Sequence, residues 1–163
     1  MTLELYRIDD RLIHGQVVVG WGQPLDIAFI VLVDDTVATS DWEQELYRMG
    51  VPPEMDLYFH TTDDAIKQIP RYRADPRRGL LLTGDIDTMR KLVDGGAGIT
   101  SVNVGGIHFR AGRTQRLRYV FLTPDEETAL RELDARGAGV TAQDVPGARP
   151  ITLSDMLAGD ELE

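Results

Sequence analysis

The densest chemistry in this chain lies near its start. Asp9-Asp10-Arg11-Leu12-Ile13-His14-Gly15-Gln16 places two carboxylates, a guanidinium and a histidine within eight residues. A neutral imidazole is a competent nucleophile near pH 7, and it forms a labile bond to phosphorus. Phosphoryl transfer runs through a loose transition state, so positioning and charge stabilisation are the main tasks. Arg11 offers a planar fork for the equatorial phosphoryl oxygens. Asp10 is placed to orient either the imidazole or the guanidinium. Gly15 brings no side chain to obstruct a group on His14. The GQVVVGW that follows reads as the start of a helix, so the free N–H groups at Gly15 and Gln16 would face an anion there. Taken as residue types alone, the same pattern also suits turn chemistry and a surface ion pair.

The elements that must position this loop alternate between strand and helix. Leu3–Ile8 reads as a strand that delivers the loop directly. Ile27–Val33 is a continuous apolar run, the pattern of a strand buried on both faces of a parallel sheet. Further strands are predicted at Met55–His60, Gly79–Thr83, Ser101–Val104, Leu117–Leu122 and Val140–Gln143. Helices are predicted between them. One is capped by Thr39 or Ser40 and runs to about Met49. One is capped by Thr62 or Asp63 and ends at Pro70. One is capped by Asp85 or Asp87 and stops at Gly95–Gly96. Thr123-Pro124-Asp125-Glu126 is a strong start for a helix running to Arg136 and Gly137, and Ser154–Leu157 belongs to a short last helix. The predicted fold is α/β: one three-layer α/β/α domain over residues 1–163, with a mostly parallel open sheet of about seven strands and helices on both faces. The acidic tail at 158–163 is expected to fray. In such sheets ligands bind beyond the carboxyl ends of the strands, which is where the His14 loop falls.

Composition narrows the function. The 163 residues include no cysteine, which excludes disulfides, thiolate zinc sites and cysteine nucleophiles and fits a reducing cytoplasm. A net charge of −10 suits neither general nucleic-acid binding nor an anionic membrane surface. No apolar run approaches the roughly 20 residues that span a bilayer. Direct membrane insertion is therefore not expected, and any membrane link goes through a partner. A nucleotide-binding reading lacks both GxxxxGK[ST] and a GxGxxG after the first strand.

RIDDRLIHGQVVVGW (Arg7–Trp21) resembles the N-terminal signature of the B components of the mannose/fructose/sorbose class of sugar phosphotransferase systems. VLVDDTVA (Val31–Ala38), MGVPPEMDL, SVNVGGIHFRAGRTQ (Ser101–Gln115) and ITLSDML are similar to later pieces of the same family, so the likeness is spread over nearly the whole chain. The resemblance implies an enzyme, a protein-N(pi)-phosphohistidine–sugar phosphotransferase. The residues themselves offer Arg11 and Asp10 as catalytic partners, phosphate contacts at Gly15 and Gln16, and at Gly84 either such a contact or a simple turn; the resemblance makes catalytic His14 the phosphorylated residue. The resemblance implies a phosphoryl donor, the A component (IIA), expected to be a separate chain. It implies membrane subunits (IIC and IID) holding a hexose, a cytoplasmic and peripheral location through them, and neither metal nor organic cofactor. A homodimer and a regulatory role without transport both stay open.

Other residues have quieter readings. Arg7, Arg11 and some of Arg110, Arg113, Arg116 and Arg118 are expected on a docking face around His14, although a solvated strand edge explains the last four equally well. His60 and His108 are expected at strand-end surface or packing positions. Asp34–Asp35 is expected to form turns or caps. Gly105–Gly106 either lets backbone amides approach phosphate or makes a simple turn, and Trp21 and Trp42 are expected in core or interface packing.

Overall fold

The computed structural model describes residues 3–158. The tail predicted to fray lies, from residue 159 on, outside the described residues. The chain runs β1 (Leu3–Ile8), β2 (Phe29–Val33), α1 (Asp41–Met49), β3 (Asp56–His60), α2 (Thr62–Ala74), β4 (Gly79–Thr83), α3 (Ile86–Asp94) and β5 (Ser101–Val104). It continues through β6 (Thr114–Leu117), β7 (Val120–Leu122), α4 (Pro124–Ala135), β8 (Gly139–Ala142), β9 (Ile151–Thr152) and α5 (Leu153–Ala158). A π-helical segment, Gln16–Trp21, precedes β2.

Seven strands form one sheet in the order β3-β2-β4-β1-β5-β8-β9. All neighbours are parallel except the final pair, β8 with β9. The apolar run at β2 is buried at every position, as its two-faced pattern requires. Phe29, Val31 and Val33 pack into one core with residues of α2, α3, α4 and α5. Ile30 and Leu32 pack into the other, with Val17, Val18 and Trp21 of the π-helical segment and Tyr47 of α1 at its margin. The sheet is thus covered on both faces, and the predicted α/β class holds.

Three expectations are corrected. Leu117–Leu122 is not one strand of the main sheet. It is the heart of a separate antiparallel hairpin, β6 and β7, turning at Arg118–Tyr119. Its buried ends, Leu117, Val120 and Leu122, give an apolar content that reads as continuous along the sequence. The sheet reaches seven strands through β9, a two-residue strand too short to carry a periodic signal. Pro70 does not end α2: it sits on the exposed face, and burial of Ile69 and Tyr72 carries the helix past it to Ala74. The cap of α2 is Thr61, whose hydroxyl accepts from the Asp64 N–H at 3.2 Å, rather than Thr62 or Asp63. The other helix starts follow the sequence reading. Asp85 caps α3, and Thr123 with Glu126 forms a full capping box on α4.

Candidate functional site at the carboxyl edge of the sheet

Parallel register brings four loops to one place. Ile8 of β1 is level with Thr83 of β4 and Val104 of β5, and Val104 is level with Ala142 of β8. The loops beginning at residues 9, 84, 105 and 143 therefore leave the sheet side by side. Backbone bonds tie them: Asp9 N–H to Thr83 O, Asp10 N–H to Gly106 O and Gly105 N–H to Ile8 O. Strand order also reverses here, since the chain leaves β1 toward β2 on one side and crosses from β4 to β5 on the other. This is the ligand position general to open α/β sheets.

The loop after β1 turns sharply at Leu12, which has φ 59°, an unusual conformation for a residue with a branched side chain. The turn aims the Leu12 carbonyl at His14, whose Nδ1 lies 2.8 Å away. A carbonyl only accepts, so Nδ1 carries the proton and the lone pair of the neutral ring sits on Nε2. Nε2 is enclosed, has no hydrogen-bond partner among the described residues, and lies 4.0 Å from Asp9 Oδ2. The His14 side chain is 19% exposed. Neither nitrogen offers an open lone pair in this ring position, so meeting a donor requires the ring to turn. That rotation gives up one hydrogen bond, about 1 kcal/mol.

Asp9 is the electrostatic centre of the loop. Its carboxylate is fully buried and accepts from Arg11 Nε at 3.0 Å, Arg11 Nη2 at 3.0 Å and Arg7 Nη2 at 3.2 Å. Burial alone would raise its pKa. Hydrogen bonds from Arg11 and the charges of Arg7 and Arg11 outweigh that and hold the carboxyl below the usual carboxylate range. Arg11 is raised in turn by its bonds to Asp9. Its Nη2 also donates to Gln16 Oε1 at 2.7 Å. The Arg11 side chain remains 34% exposed and, with Gln16, His108, Arg118 and Asp144, lines a cavity of about 260 Å³.

The structure brings Arg11, His14, Gly15 and Gln16 together as expected. A Cβ on Gly15 would meet nothing within 4 Å, so the position itself is open. Asp10 departs from its expected role. Its carboxylate accepts from the His108 N–H at 2.7 Å and pairs with His108 Nδ1 at 2.6 Å, pinning the loop after β5. Orientation of the guanidinium falls to Asp9 instead. Gly84 is small because Leu12 rests on it: a Cβ there would lie 2.8 Å from Leu12 Cδ2. Gly106 lies under the Arg11–Asp9 pair, where a Cβ would come within 3.4 Å of both side chains.

The expected basic face divides. Arg7 is buried and belongs to no surface. Arg113 is locked onto Glu126 through two bonds and also donates to His108 O, while Arg116 pairs with Glu127. Arg110 is exposed, and Arg118 is exposed, paired with Asp144 and lying 5.7 Å from the centre of the Tyr119 ring. His60, at the end of β3, bonds Asp64 and Tyr72, and His108 is on the surface, matching their expected positions. Asp34 accepts from Thr36 and Val37 N–H groups, and Asp35 from Thr62, the turn and cap roles anticipated. Trp21 is buried, whereas Trp42 is 68% exposed on α1.

Asp9, central to the geometry, was given no role from the sequence, and Arg7 was expected on the docking face rather than buried beneath the loop. One signal was present: an arginine and an aspartate flank apolar Ile8 at the end of the first strand.

A family model described as the PTS system sorbose subfamily IIB component matches residues 3–163. The chain is 38% identical over 154 residues to the N-acetylgalactosamine-specific phosphotransferase enzyme IIB component 1 of Escherichia coli K12, covering 93% of this chain and 96% of the relative. It is 36% identical over 162 residues to the mannose-specific EIIAB component of the same strain, covering 97% of this chain and 49% of that longer protein. Among solved structures, the IIBSor domain of the sorbose permease from Klebsiella pneumoniae superposes with a TM-score of 0.87 at 28% identity, covering 98% of each chain.

Proposed function

This chain belongs to the sorbose-subfamily IIB components of the sugar phosphotransferase system, and on that premise we propose that His14 is the residue that carries the phosphoryl group. A IIB component is a phosphotransferase and a phosphoryl carrier in sugar uptake. The observation behind His14 is its place: the loop after β1, at the strand-order reversal, beside a preset guanidinium and an open glycine.

In the first step, the A component presents a phosphohistidine. The lone pair of a His14 ring nitrogen forms the new N–P bond as the donor's N–P bond breaks, and that electron pair returns to the donor ring. Each ring keeps the proton on its other nitrogen. In the second step, a hydroxyl oxygen of a hexose held by the membrane subunits attacks phosphorus. The bond to His14 breaks, the ring recovers its pair and the hydroxyl proton passes to water. Neither step as written needs a metal or an organic cofactor. Arg11 and Gln16 meet the charge on the phosphoryl oxygens. Gly15 keeps the approach clear, and Gly84 seats the Leu12 turn that presents the ring.

Once the ring has turned outward, donor and acceptor reach His14 from the same side, so one face serves them in turn. Rapid exchange favours a modest interface, roughly 1,200 Å² or less. No helix among the described residues is long and apolar enough to cross a membrane. Contact with IIC and IID then places the protein at the cytoplasmic face of the membrane. Incubation with phosphorylated A component, followed by mass-spectrometric mapping, tests the assignment. Acid-labile label on the peptide containing His14 is expected, and label elsewhere overturns it.

A further inference from the structure

One carboxylate, Asp9, holds two arginines of very different character. Arg7 projects from β1 into the interior with no exposure. Its Nη1 donates to Asn103 Oδ1 and, at 2.9 Å, to Gln143 O; its Nη2 donates to Asp9 and to Asp144 O. The guanidinium lies 4.7 Å from the centre of the Trp21 ring, and Trp21 Nε1 donates to the same Asp144 carbonyl. Gly105 leaves the room: a Cβ there would fall 2.2 Å from Arg7 Nη2. Arg7 is therefore fixed by strand β5, the loops after β1 and β8, and an aromatic wall. Arg11, by contrast, reaches Asp9 from the solvent side.

We infer that Arg7 is a positioning residue: it keeps Asp9 compensated, so that Arg11 can leave Asp9 for the phosphoryl group on His14. The inference rests on His14 being the phosphorylated residue. The charges support it. Arg7, Asp9 and Arg11 sum to one positive charge, which a phosphoryl dianion attracts. If Arg11 were the only cation on Asp9, its departure would strand a buried carboxylate, and such isolation is costly. With Arg7 in place, Asp9 keeps a partner and Arg11 is free to change partners.

The test follows the two arginines separately. In protein labelled with ¹⁵N-arginine, phosphorylation by A component should move the Arg11 Nε–H resonance strongly, while that of Arg7 stays near its original position. Arg11→Lys supplies the assignment. Arg7→Met, compared per folded molecule, should slow phosphorylation by about tenfold or more, the scale seen when groups that hold a site's direct contacts are removed. Adding Asp9→Asn to Arg7→Met removes the stranded carboxylate and should recover a large part of that loss, although it changes one more residue of the loop. An Arg11 resonance that does not move, or a double variant no faster than Arg7→Met, overturns the inference while leaving His14 as carrier. Label that maps away from His14 overturns both. If Arg7→Met does not fold, the resonances of the unaltered protein decide the question alone.

Discussion

Asp9 Oδ2 and His14 Nε2 stand 4.0 Å apart, while the opposite ring nitrogen, Nδ1, is held at 2.8 Å by the Leu12 carbonyl. The ring is clamped from one side and watched by an anion from the other. The unphosphorylated protein should therefore hold His14 as the Nδ1–H tautomer. Long-range ¹H–¹⁵N spectra of the imidazole read this directly. A dominant Nε2–H form would show that the Leu12 contact does not set the ring.

Acid should act on this loop through Asp9. The carboxyl is held below its usual value in the folded chain, so ionised Asp9 contributes stability above the ordinary aspartate pKa of about 3.9. That contribution is lost as pH falls through the lower, folded value. Denaturation followed from pH 7 to pH 3 should show a steeper acid loss for the unaltered protein than for the Arg7→Met/Asp9→Asn variant. Equal slopes would mean that Asp9 titrates alike in both states.

Arg11 should matter more to rate than to stability, because it is partly exposed while Arg7 is not. Arg11→Ala should slow phosphorylation on the order of 10²–10³-fold, as loss of an electrostatic stabiliser does elsewhere. Arg11→Lys should restore only part of it, since the fork that spans Asp9 and Gln16 is lost. A folded Arg11→Ala protein working at the unaltered rate would assign Arg11 to structure alone.

The surface arginines should separate by their partners. Arg118 is exposed and lines the cavity beside Arg11, so Arg118→Glu should slow phosphorylation at low salt, with the defect shrinking as salt rises. Arg113 is tied to Glu126, whose carboxyl it helps to hold below the usual range. Arg113→Glu should instead lower thermal stability, with a defect that salt does not remove. The reverse pattern would move the docking face away from Arg118.

How far this was legible in the residue string varies with the kind of signal. β2 declared itself because burial on both faces leaves an unbroken apolar run, and α4 because Thr123, Pro124 and Glu126 each serve a distinct need of a helix start. The β6–β7 hairpin did not, because its turn residues, Arg118 and Tyr119, carry neither glycine nor proline. At the site, His14 and Arg11 were visible as chemistry. Asp9 and Asp10 were adjacent and chemically identical, and only the end of β1 decides which of them points inward to the arginines and which outward to His108. Arg7 was legible as a charge but not as a buried one. Its partners Asn103, Gln143 and Asp144 lie about a hundred residues or more away and meet it only through parallel register.

The account turns on one histidine. Unaltered protein and the His14→Ala, His60→Ala and His108→Ala variants, each confirmed as folded, should be incubated with phosphorylated A component and their acid-labile label counted. The account predicts full labelling of the unaltered protein, retained labelling in the His60 and His108 variants, and none in His14→Ala. Label that persists in folded His14→Ala, or that resists acid, would contradict it.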